Sequence, residues 1–416
     1  MSVKPFSIKK FTENFYEKKE ARFSTQNSLF DSVTAQDAFD MSLECVKSRR
    51  ETGHRYVRLY VDNKLIQNER SLNRWFPKAA DQNFFGYRDR MSQQLNGKEY
   101  YFVVGDLHAS DRSFYHRLID FAEELAQFVG RSRRRVDTQL FVGNASRTPF
   151  GIHNDAAGVF HIPLVGTKKM RFWNEDYVKH NPTVKYQLDF QEHLEGSTSL
   201  EAEPGEMLYW PSRLWHIAES NGAFGITWGL GWWNGDHRTQ LLENEVRRLI
   251  VESIDRGPAT EKQIARYSHQ IEGNDFQRVM RRLSGNDFKE RGHQIDVEYL
   301  KVMSNFGFWT FPGAQNIRLT PASRFSFAKR FKTMFYDLAP GITAIICNGD
   351  SITIKSSSQI QPILREFRHA NIGTETRKPF EVGKLVKRLE TIAEKKEVMK
   401  LLNFIAAREG LQIEGK

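Results

Sequence analysis

The stretch "RTPFGIHNDAAGVF", residues 147–160, contains a histidine and an aspartate two positions apart within a run of small and apolar residues. Such a run predicts a β-strand, and side chains along a strand alternate between its two faces. His153 and Asp155 are therefore expected on one face, with Asn154 on the other. An imidazole and a carboxylate placed in this way can take two neighbouring positions around a metal ion.

A third ligand would have to come from another part of the chain. His216, in "PGEMLYWPSRLWHIAES", follows a predicted strand and a proline turn. Two histidines and one carboxylate with open positions opposite them suit non-haem Fe(II) and oxygen chemistry. The alternative is a hydrogen-bonded histidine–aspartate pair in the core, without a metal. His180 and His193 lie in polar stretches and are expected at the surface.

Several segments predict the elements that position these residues. Dense strand signals between about 138 and 234, separated by turn residues, predict a sandwich or a barrel. The alternating pattern typical of strands occurs in "RYVRLYVDNK", "EYYFVVGD" and "DTQLFVGNA". Apolar residues at three- and four-residue spacing predict an amphipathic helix in "RSFYHRLIDFAEELAQFVG".

The sequence after residue 235 changes character. Residues 236–300 are predicted to be helical, in "RTQLLENEVRRLIVESID" and "TEKQIARYSHQIEGNDFQRVMRRL". Strands are predicted in "NIRLTP" and "GITAIICNGDSITIKS". Helices are predicted in "SQIQPILREFRHA" and "PFEVGKLVKRLETIAEKKEVMKLLNFIAAREG". The sequence therefore predicts three domains: a first domain over 1–235, a helical linker or dimerisation segment over 236–300, and a mixed domain of strands and helices over 301–416.

The charge of the chain indicates the chemistry of its partners. Over 416 residues the formal net charge is +10, which favours an acidic partner such as nucleic acid, a ribonucleoprotein or an acidic peptide. The densest basic cluster is formed by Arg131, Arg133, Arg134 and Arg135. A solvated loop is its alternative interpretation.

Two further features concern the location of the protein. The sequence contains no apolar run of about 20 residues that could cross a bilayer, and its first twenty residues lack the apolar segment of a secretory signal. Cys45 and Cys347 are far apart and form no metal-binding or redox motif. A reduced, cytoplasmic protein is expected.

The two stretches around His153 and His216 resemble the JmjC-type 2-oxoglutarate oxygenases, nearest the bacterial ribosomal-oxygenase and asparaginyl-hydroxylase branch. Besides the three candidate ligands, the family pattern is matched by Gly166, Lys168, Gly205, Glu206, Leu208, Tyr209 and Pro211. The resemblance implies an α+β fold with a double-stranded β-helix (jelly-roll, cupin-like) core and flanking helices. It also implies a later helical segment and a C-terminal winged-helix-like domain.

The resemblance assigns roles to individual residues. His153, Asp155 and His216 would hold Fe(II). Lys168 would bind the distal carboxylate of 2-oxoglutarate, because a buried carboxylate is costly without a cationic partner. Thr148 could add a hydroxyl bond to that carboxylate, and His161 either bonds the co-substrate or packs in the core.

The implied activity is hydroxylation of a protein or peptide side chain, with a polypeptide substrate that is acidic or carried by a ribonucleoprotein. Direct binding of nucleic acid stays open, no membrane partner is expected, and the helices of 236–300 are expected to form a homodimer. One alternative is an oxygenase that acts on a small molecule or a ribosomally made natural-product peptide. The other is a metal-binding cupin module without catalysis.

Overall fold

The computed structural model describes residues 3–52, 56–220, 222–255, 285–355, 364, 379–389 and 395–414. The chain divides into two compact units. The first comprises Met1–Gly235 with Thr310–Pro312, and the second comprises Asp236–Trp309 with Gly313–Lys416. The three-domain division expected from the sequence stays a prediction.

The described part of the first unit is rich in antiparallel strands with helices around them. The strands are β1 (Ala21–Ser24), β2 (Val57–Val61), β3 (Lys64–Leu65), β4 (Tyr100–Gly105), β5 (Arg135–Gly143), β6 (Ala157–Val165), β7 (Lys168–Trp173), β8 (Thr198–Ala202), β9 (Glu206–Trp210), β10 (Trp215–Glu219) and β11 (Gly225–Trp233). The α-helices are α1 (Ile8–Asn14), α2 (Ala35–Thr52), α3 (Glu69–Trp75), α4 (Phe84–Gln94), α5 (Arg112–Val129) and α6 (Glu175–His180). Short 3-10 helices cover Leu29–Asp31, Ala79–Asp81, Leu107–Ser110, Pro182–Val184 and Gln191–His193.

These strands form two sheets. The larger has the order β1-β9-β6-β11-β5-β4-β2-β3, and the smaller has the order β10-β7-β8. Along the chain, the connections β6–β7, β8–β9, β9–β10 and β10–β11 each pass from one sheet to the other. This alternation is that of a double-stranded β-helix, so the predicted jelly-roll core is confirmed.

The strand pair β5–β11 joins the two halves of the larger sheet. Its antiparallel register runs over nine residue pairs, from Gly143↔Gly225 to Arg135↔Trp233. The space between the sheets is filled by apolar side chains, among them Met170, Phe172, Leu208 and Trp210. Removing each large side chain of this kind from water contributes about 1.5–3 kcal/mol, so burial between the two sheets holds the barrel together.

Helix α5 confirms the amphipathic helix expected from the sequence. The Asp111 side chain caps it by accepting a hydrogen bond from the backbone N of Phe114 at 2.6 Å, and the chain leaves the helix at Gly130 with φ of 78°. Its buried face includes Phe114, Leu118 and Phe121. The Phe114 ring packs edge-on against Trp228 of β11, with 5.3 Å between ring centroids. This helix therefore covers the larger sheet.

The second unit, in its described residues, combines helices with two small sheets. Its elements are α7 (His237–Asp255), α8 (Asn286–Ser304), α9 (Val382–Leu389), α10 (Lys395–Ala407), β12 (Arg324–Phe327), β13 (Met334–Ala339), β14 (Ile342–Cys347), β15 (Asp350–Lys355), β16 (Phe380–Glu381) and β17 (Leu411–Ile413). The sheet orders are β16-β12-β17 and β13-β14-β15. The winged-helix-like arrangement stays a prediction.

Two strand predictions for this unit have different outcomes. The strands predicted in "GITAIICNGDSITIKS" are confirmed as β14 and β15. A two-residue hairpin turn joins them at Asn348 and Gly349, both of which have the positive φ that such a turn requires. The strand predicted in "NIRLTP", residues 316–321, is wrong, because strand β12 begins only at Arg324. Pro321 has no amide hydrogen to donate to a neighbouring strand.

Two predicted helices fall on residues that the structure does not describe. The helix in "TEKQIARYSHQIEGNDFQRVMRRL" lies entirely outside the described residues, and of "SQIQPILREFRHA" only Leu364 is described. Among the described helices, none has the length and apolar character to span a membrane.

Candidate metal centre

Three side chains meet at one end of the barrel interior. His153, Asp155 and His216 each offer one ligand atom, and these three atoms lie within 4.8 Å of one another. The His216 Nε2 lies 3.7 Å from the Asp155 Oδ2, and the two imidazole ring centroids are 4.4 Å apart. The structure therefore brings the three predicted ligands together. His180 and His193 lie outside this cluster.

The backbone that carries the first two side chains is not the regular strand expected over 147–160. Strand β6 begins only at Ala157. Before it, Arg147 and His153 each make an isolated antiparallel bridge to β10. Gly151, with φ of 70°, interrupts the strand between these bridges, and a Cβ there would lie 2.4 Å from the carbonyl oxygen of Tyr186. The break is therefore a close approach of two backbones that only glycine accommodates.

Backbone carbonyls fix the orientation of both imidazoles. The Nδ1 of His153 donates to the carbonyl oxygen of Gly151 at 2.8 Å, and the Nδ1 of His216 donates to that of Leu214 at 2.8 Å. A carbonyl only accepts, so each Nδ1 carries the proton and each Nε2 keeps a lone pair. Two imidazole nitrogens and one carboxylate oxygen are a donor set that fits a divalent transition metal such as Fe(II).

Burial adjusts the ionisation of the same groups. It holds the pKa of His216 well below its ordinary value, with a further lowering from His153 and Lys168. His216 is therefore neutral at pH 7 and able to bind a metal. Burial raises the pKa of Asp155, and the neighbouring His153 opposes this rise. A cation among these ligands would stabilise the carboxylate further.

A cavity of about 250 Å³ extends from the three ligands into the barrel. Its polar lining is Arg58, Asp137, Gln139, Thr148, His153, Asp155, His161, Lys168 and His216. Its apolar lining includes Phe141, Met170 and Trp210. All six site residues expected from the sequence therefore line one cavity.

Lys168 is the buried cation of this cavity. Its side chain is 8 % exposed, its Nζ lies 5.6 Å from the centre of the Phe141 ring, and burial lowers its pKa to about 8. Among the described residues no carboxylate pairs with it. Lys169 faces away and lies 3.6 Å from the Glu201 carboxylate. The difference follows from the alternation of side chains along strand β7. A buried ammonium without a counter-ion is the partner that a buried carboxylate requires.

Thr148 and His161 flank Lys168. The hydroxyl oxygen of Thr148 accepts a hydrogen bond from the Ala218 amide at 3.1 Å, which leaves its own O–H to donate. His161 is buried, and its Nδ1 has no hydrogen-bond partner within the described structure. Burial holds the pKa of His161 well below its ordinary value. Both side chains can thus donate to an anion beside Lys168.

Sequence reasoning missed one polar wall of the cavity, formed by Arg58, Asp137 and Gln139. Asp137 accepts a hydrogen bond from the indole nitrogen of Trp233 at 2.9 Å, and burial raises its pKa to about 6. Asp137 and Gln139 are two positions apart on β5. The alternating pattern of "DTQLFVGNA" was the signal that could have placed both on the inner face.

The basic cluster of four arginines is divided between two environments. Arg135 lies 3.0 Å from Asp106 and 3.3 Å from Asp137, so its charge is compensated within the fold. The Arg134 guanidinium lies 5.2 Å from the centre of the Trp233 ring. Arg133 is exposed. The expectation of four solvated arginines therefore does not hold for Arg135.

Comparison with known families identifies this part of the chain. Residues 115–237 match the family model described as the JmjC domain. The chain carries a JmjC domain. All six candidate site residues lie within the matched residues, and the match agrees with the resemblance to JmjC-type proteins seen in the sequence.

Comparisons of the whole chain find only distant structural likeness. Two solved structures of YcfD, a ribosomal oxygenase from Escherichia coli, are similar to it. The complex with cobalt and succinic acid has 13 % identity and a TM-score of 0.44, and the complex with cobalt and 2-oxoglutarate has 11 % identity and a TM-score of 0.45. Each comparison covers 100 % of both chains.

These identities and TM-scores are too low to transfer an activity. No curated protein sequence matches the chain. The assignment of the JmjC domain therefore depends on the family match and on the strand order of the barrel.

Proposed function

We propose that the protein is an Fe(II)- and 2-oxoglutarate-dependent oxygenase that hydroxylates a side chain of a protein or peptide. The observation that carries the proposal is the presence of Lys168, buried and without a counter-ion among the described residues, in the same cavity as the three candidate metal ligands. A metal-binding module without catalysis would need no such cation.

The donor set supports Fe(II) as the metal. His153, Asp155 and His216 would hold it on one side and leave the opposite side open to the cavity. When bound, Fe(II) and 2-oxoglutarate supply the oxidative decarboxylation of the co-substrate to succinate, coupled to insertion of one oxygen atom from O₂ into a C–H bond.

The chain's own residues orient the co-substrate. Lys168 would bind its distal carboxylate as an ammonium, with the Thr148 hydroxyl as a second donor. The side chains of Phe141, Met170 and Trp210 line the same cavity and present apolar surface beside Lys168. In this low-dielectric space the charge-assisted hydrogen bond from Lys168 is stronger than it would be at the surface.

The size of the cavity favours a polypeptide substrate. Pockets that enclose a whole drug-sized ligand usually measure about 300–1,000 Å³. The cavity at the three ligands, about 250 Å³, is smaller than this, which favours a substrate that inserts one side chain. A second cavity of about 540 Å³ shares Thr148 and Lys168 with it. The net charge of +10 favours an acidic partner for the surface of the protein.

The test is the iron-dependent formation of succinate from 2-oxoglutarate, followed by NMR, with and without a peptide library. We expect succinate only when Fe(II) is present, and a faster rate with peptides that contain the target side chain. Absence of iron-dependent succinate formation would contradict the proposal. A free amino acid that supports the rate as well as any peptide would overturn the polypeptide substrate and favour a small-molecule oxygenase.

A further inference from the structure

A carboxylate from the N-terminal segment lies beside the turn between β9 and β10. Glu17 follows helix α1, and its side chain accepts hydrogen bonds from the backbone N of Ser212, at 3.3 and 3.2 Å to its two oxygens, and from the Ser212 hydroxyl. The backbone N of Glu17 donates to the hydroxyl of Tyr209 at 2.9 Å. Glu17 is thus held both to strand β9 and to the turn that follows it.

This turn contacts two of the three candidate metal ligands. The amide of Arg213 donates to the carbonyl oxygen of Asp155 at 2.7 Å. The carbonyl oxygen of Leu214 accepts the hydrogen bond from Nδ1 of His216 at 2.8 Å. A shift of the turn would therefore move Asp155 and would rotate the imidazole of His216.

A second contact fixes the same turn to the strand after Asp155. The side-chain amide of Asn234 donates to the Ser212 hydroxyl oxygen at 2.9 Å, and its backbone N donates to the carbonyl oxygen of Ala156 at 2.8 Å. The Ser212 hydroxyl oxygen accepts from Asn234 through a lone pair, and its proton is donated to the Glu17 carboxylate. Glu17 therefore determines the direction of this hydroxyl.

The backbone of Glu17 adopts a conformation that its residue type rarely takes. Its φ is 51°, in the left-handed region where non-glycine residues are uncommon. Such a conformation persists where surrounding contacts determine it, and these positions cluster at functional sites. In addition, a Cβ on Gly158 would lie 2.8 Å from Oε1 of Glu17, so the start of β6 leaves room for this carboxylate.

We propose that Glu17 is a positioning residue for the metal centre, acting through Ser212 on the turn that orients Asp155 and His216. This inference rests on the proposed function, since it requires that the three ligands bind a metal. It extends the site to the N-terminal segment, outside the matched JmjC domain of residues 115–237.

The test uses Co(II) as the probe and isothermal titration calorimetry on the full chain. Loss of an outer hydrogen-bond partner of a metal site usually lowers metal affinity about 10- to 100-fold. Glu17 acts one contact further out, so we expect a loss near the lower end of this range for Glu17→Ala. The loss should be smaller for Glu17→Gln, whose amide keeps one acceptor oxygen. Glu13→Ala, a nearby exposed glutamate on α1, is the control and should bind Co(II) like the wild type.

A purely structural role predicts a different outcome. It would lower the melting temperature of the metal-free protein without changing the dissociation constant or the visible absorption spectrum of bound Co(II), and that result overturns the inference. Failure of the wild-type protein to bind Co(II) would instead overturn the proposed function itself.

A double-mutant cycle with Gly158→Ala adds an independent measurement. The added methyl group displaces the Glu17 carboxylate, so Gly158→Ala alone should weaken Co(II) binding. In the Glu17→Ala background it should have a smaller effect, because the closest group is absent and only the Tyr209 hydroxyl, 3.1 Å from the added Cβ, stays tightly packed. Equal effects of Gly158→Ala in both backgrounds would contradict the coupling.

Discussion

His153 and His216 exchange two backbone hydrogen bonds in an antiparallel bridge between neighbouring segments. The amide of His153 donates to the carbonyl oxygen of His216 at 3.1 Å, and the amide of His216 donates to that of His153 at 2.7 Å. The two imidazoles are therefore held at a fixed separation by main-chain contacts that need no metal. A site preorganised in this way can be changed at its side chains while its backbone stays in place.

Removal of a candidate ligand should abolish metal binding and leave the fold intact. We expect His153→Ala and Asp155→Ala to lose Co(II) binding and succinate formation, since two ligands hold a metal far less tightly than three. Alanine keeps both backbone hydrogen bonds, so the circular dichroism spectrum should not change. His180→Ala, at an exposed histidine, is the control. Wild-type succinate formation by either ligand variant would refute the assignment.

The two neighbouring lysines on β7 should differ in their effect on the co-substrate. A hydrogen bond to a charged group contributes about 1.5–3 kcal/mol. Lys168→Ala should therefore raise the KM for 2-oxoglutarate roughly 10- to 100-fold and leave Co(II) affinity nearly unchanged. Lys169→Ala should have little effect, because its ammonium pairs with Glu201 outside the cavity. A defect in the Lys169 variant instead would mean that the other lysine binds the co-substrate.

The affinity for 2-oxoglutarate should fall as the pH rises. Burial lowers the pKa of Lys168 to about 8, so its ammonium is fully charged below that pH and loses its proton above it in the free protein. The dissociation constant should be constant below about pH 8 and should rise above it. Lys168→Arg is the comparison, because a guanidinium keeps its charge over this range. A flat profile for the wild type would show that the charge of Lys168 does not contribute.

Turnover on a polypeptide substrate should decrease with increasing salt concentration. The net charge of +10 should attract an acidic partner, and salt shortens the screening length from about 10 Å at 0.1 M to about 3 Å at 1 M. Arg133→Ser should lower kcat/KM at low salt, whereas Arg74→Ser, at an exposed arginine of α3, should not. Activity that does not change with salt would contradict an electrostatic role.

The helices of 236–300 should pair with those of a second chain. Within one chain, α7 and α8 contact each other through Arg291 and Glu245, at 3.1 Å. Leu242 of α7 is 44 % exposed and is available to another chain. Light scattering should give the mass of a dimer, and Leu242→Glu should give that of a monomer. Leu65→Glu, at a leucine that is 43 % exposed in the first unit, is the control. A monomeric wild type would contradict the prediction.

The parts of the site that the sequence predicts are those that depend on residue type and strand alternation. The pattern of two histidines and an aspartate needs only the chemistry of metal ligands. The inward direction of Lys168 needs only the period of a strand, which β7 obeys. The turn at Asn348 and Gly349 follows from the positive φ that these residues accept.

The remaining parts depend on contacts between distant segments. No local pattern reports that Gly151 approaches the carbonyl of Tyr186, and this contact interrupts the expected strand. The carbonyl groups that orient the imidazoles are main-chain atoms, which every residue has. The charge of Arg135 is compensated by Asp106, which comes from another part of the chain. A basic run in the sequence therefore did not reveal which arginines reach solvent.

The pairing of β5 with β11 has a consequence for the order of folding. These two strands join the two halves of the larger sheet, and every candidate metal ligand lies between them in the chain. Forming their contacts requires closure of a long loop, which slows folding relative to local pairing. During synthesis these two strands cannot pair in full until Trp233 has left the ribosome. Until then the half-built barrel exposes apolar strands, and this interval is when the protein is most prone to aggregate.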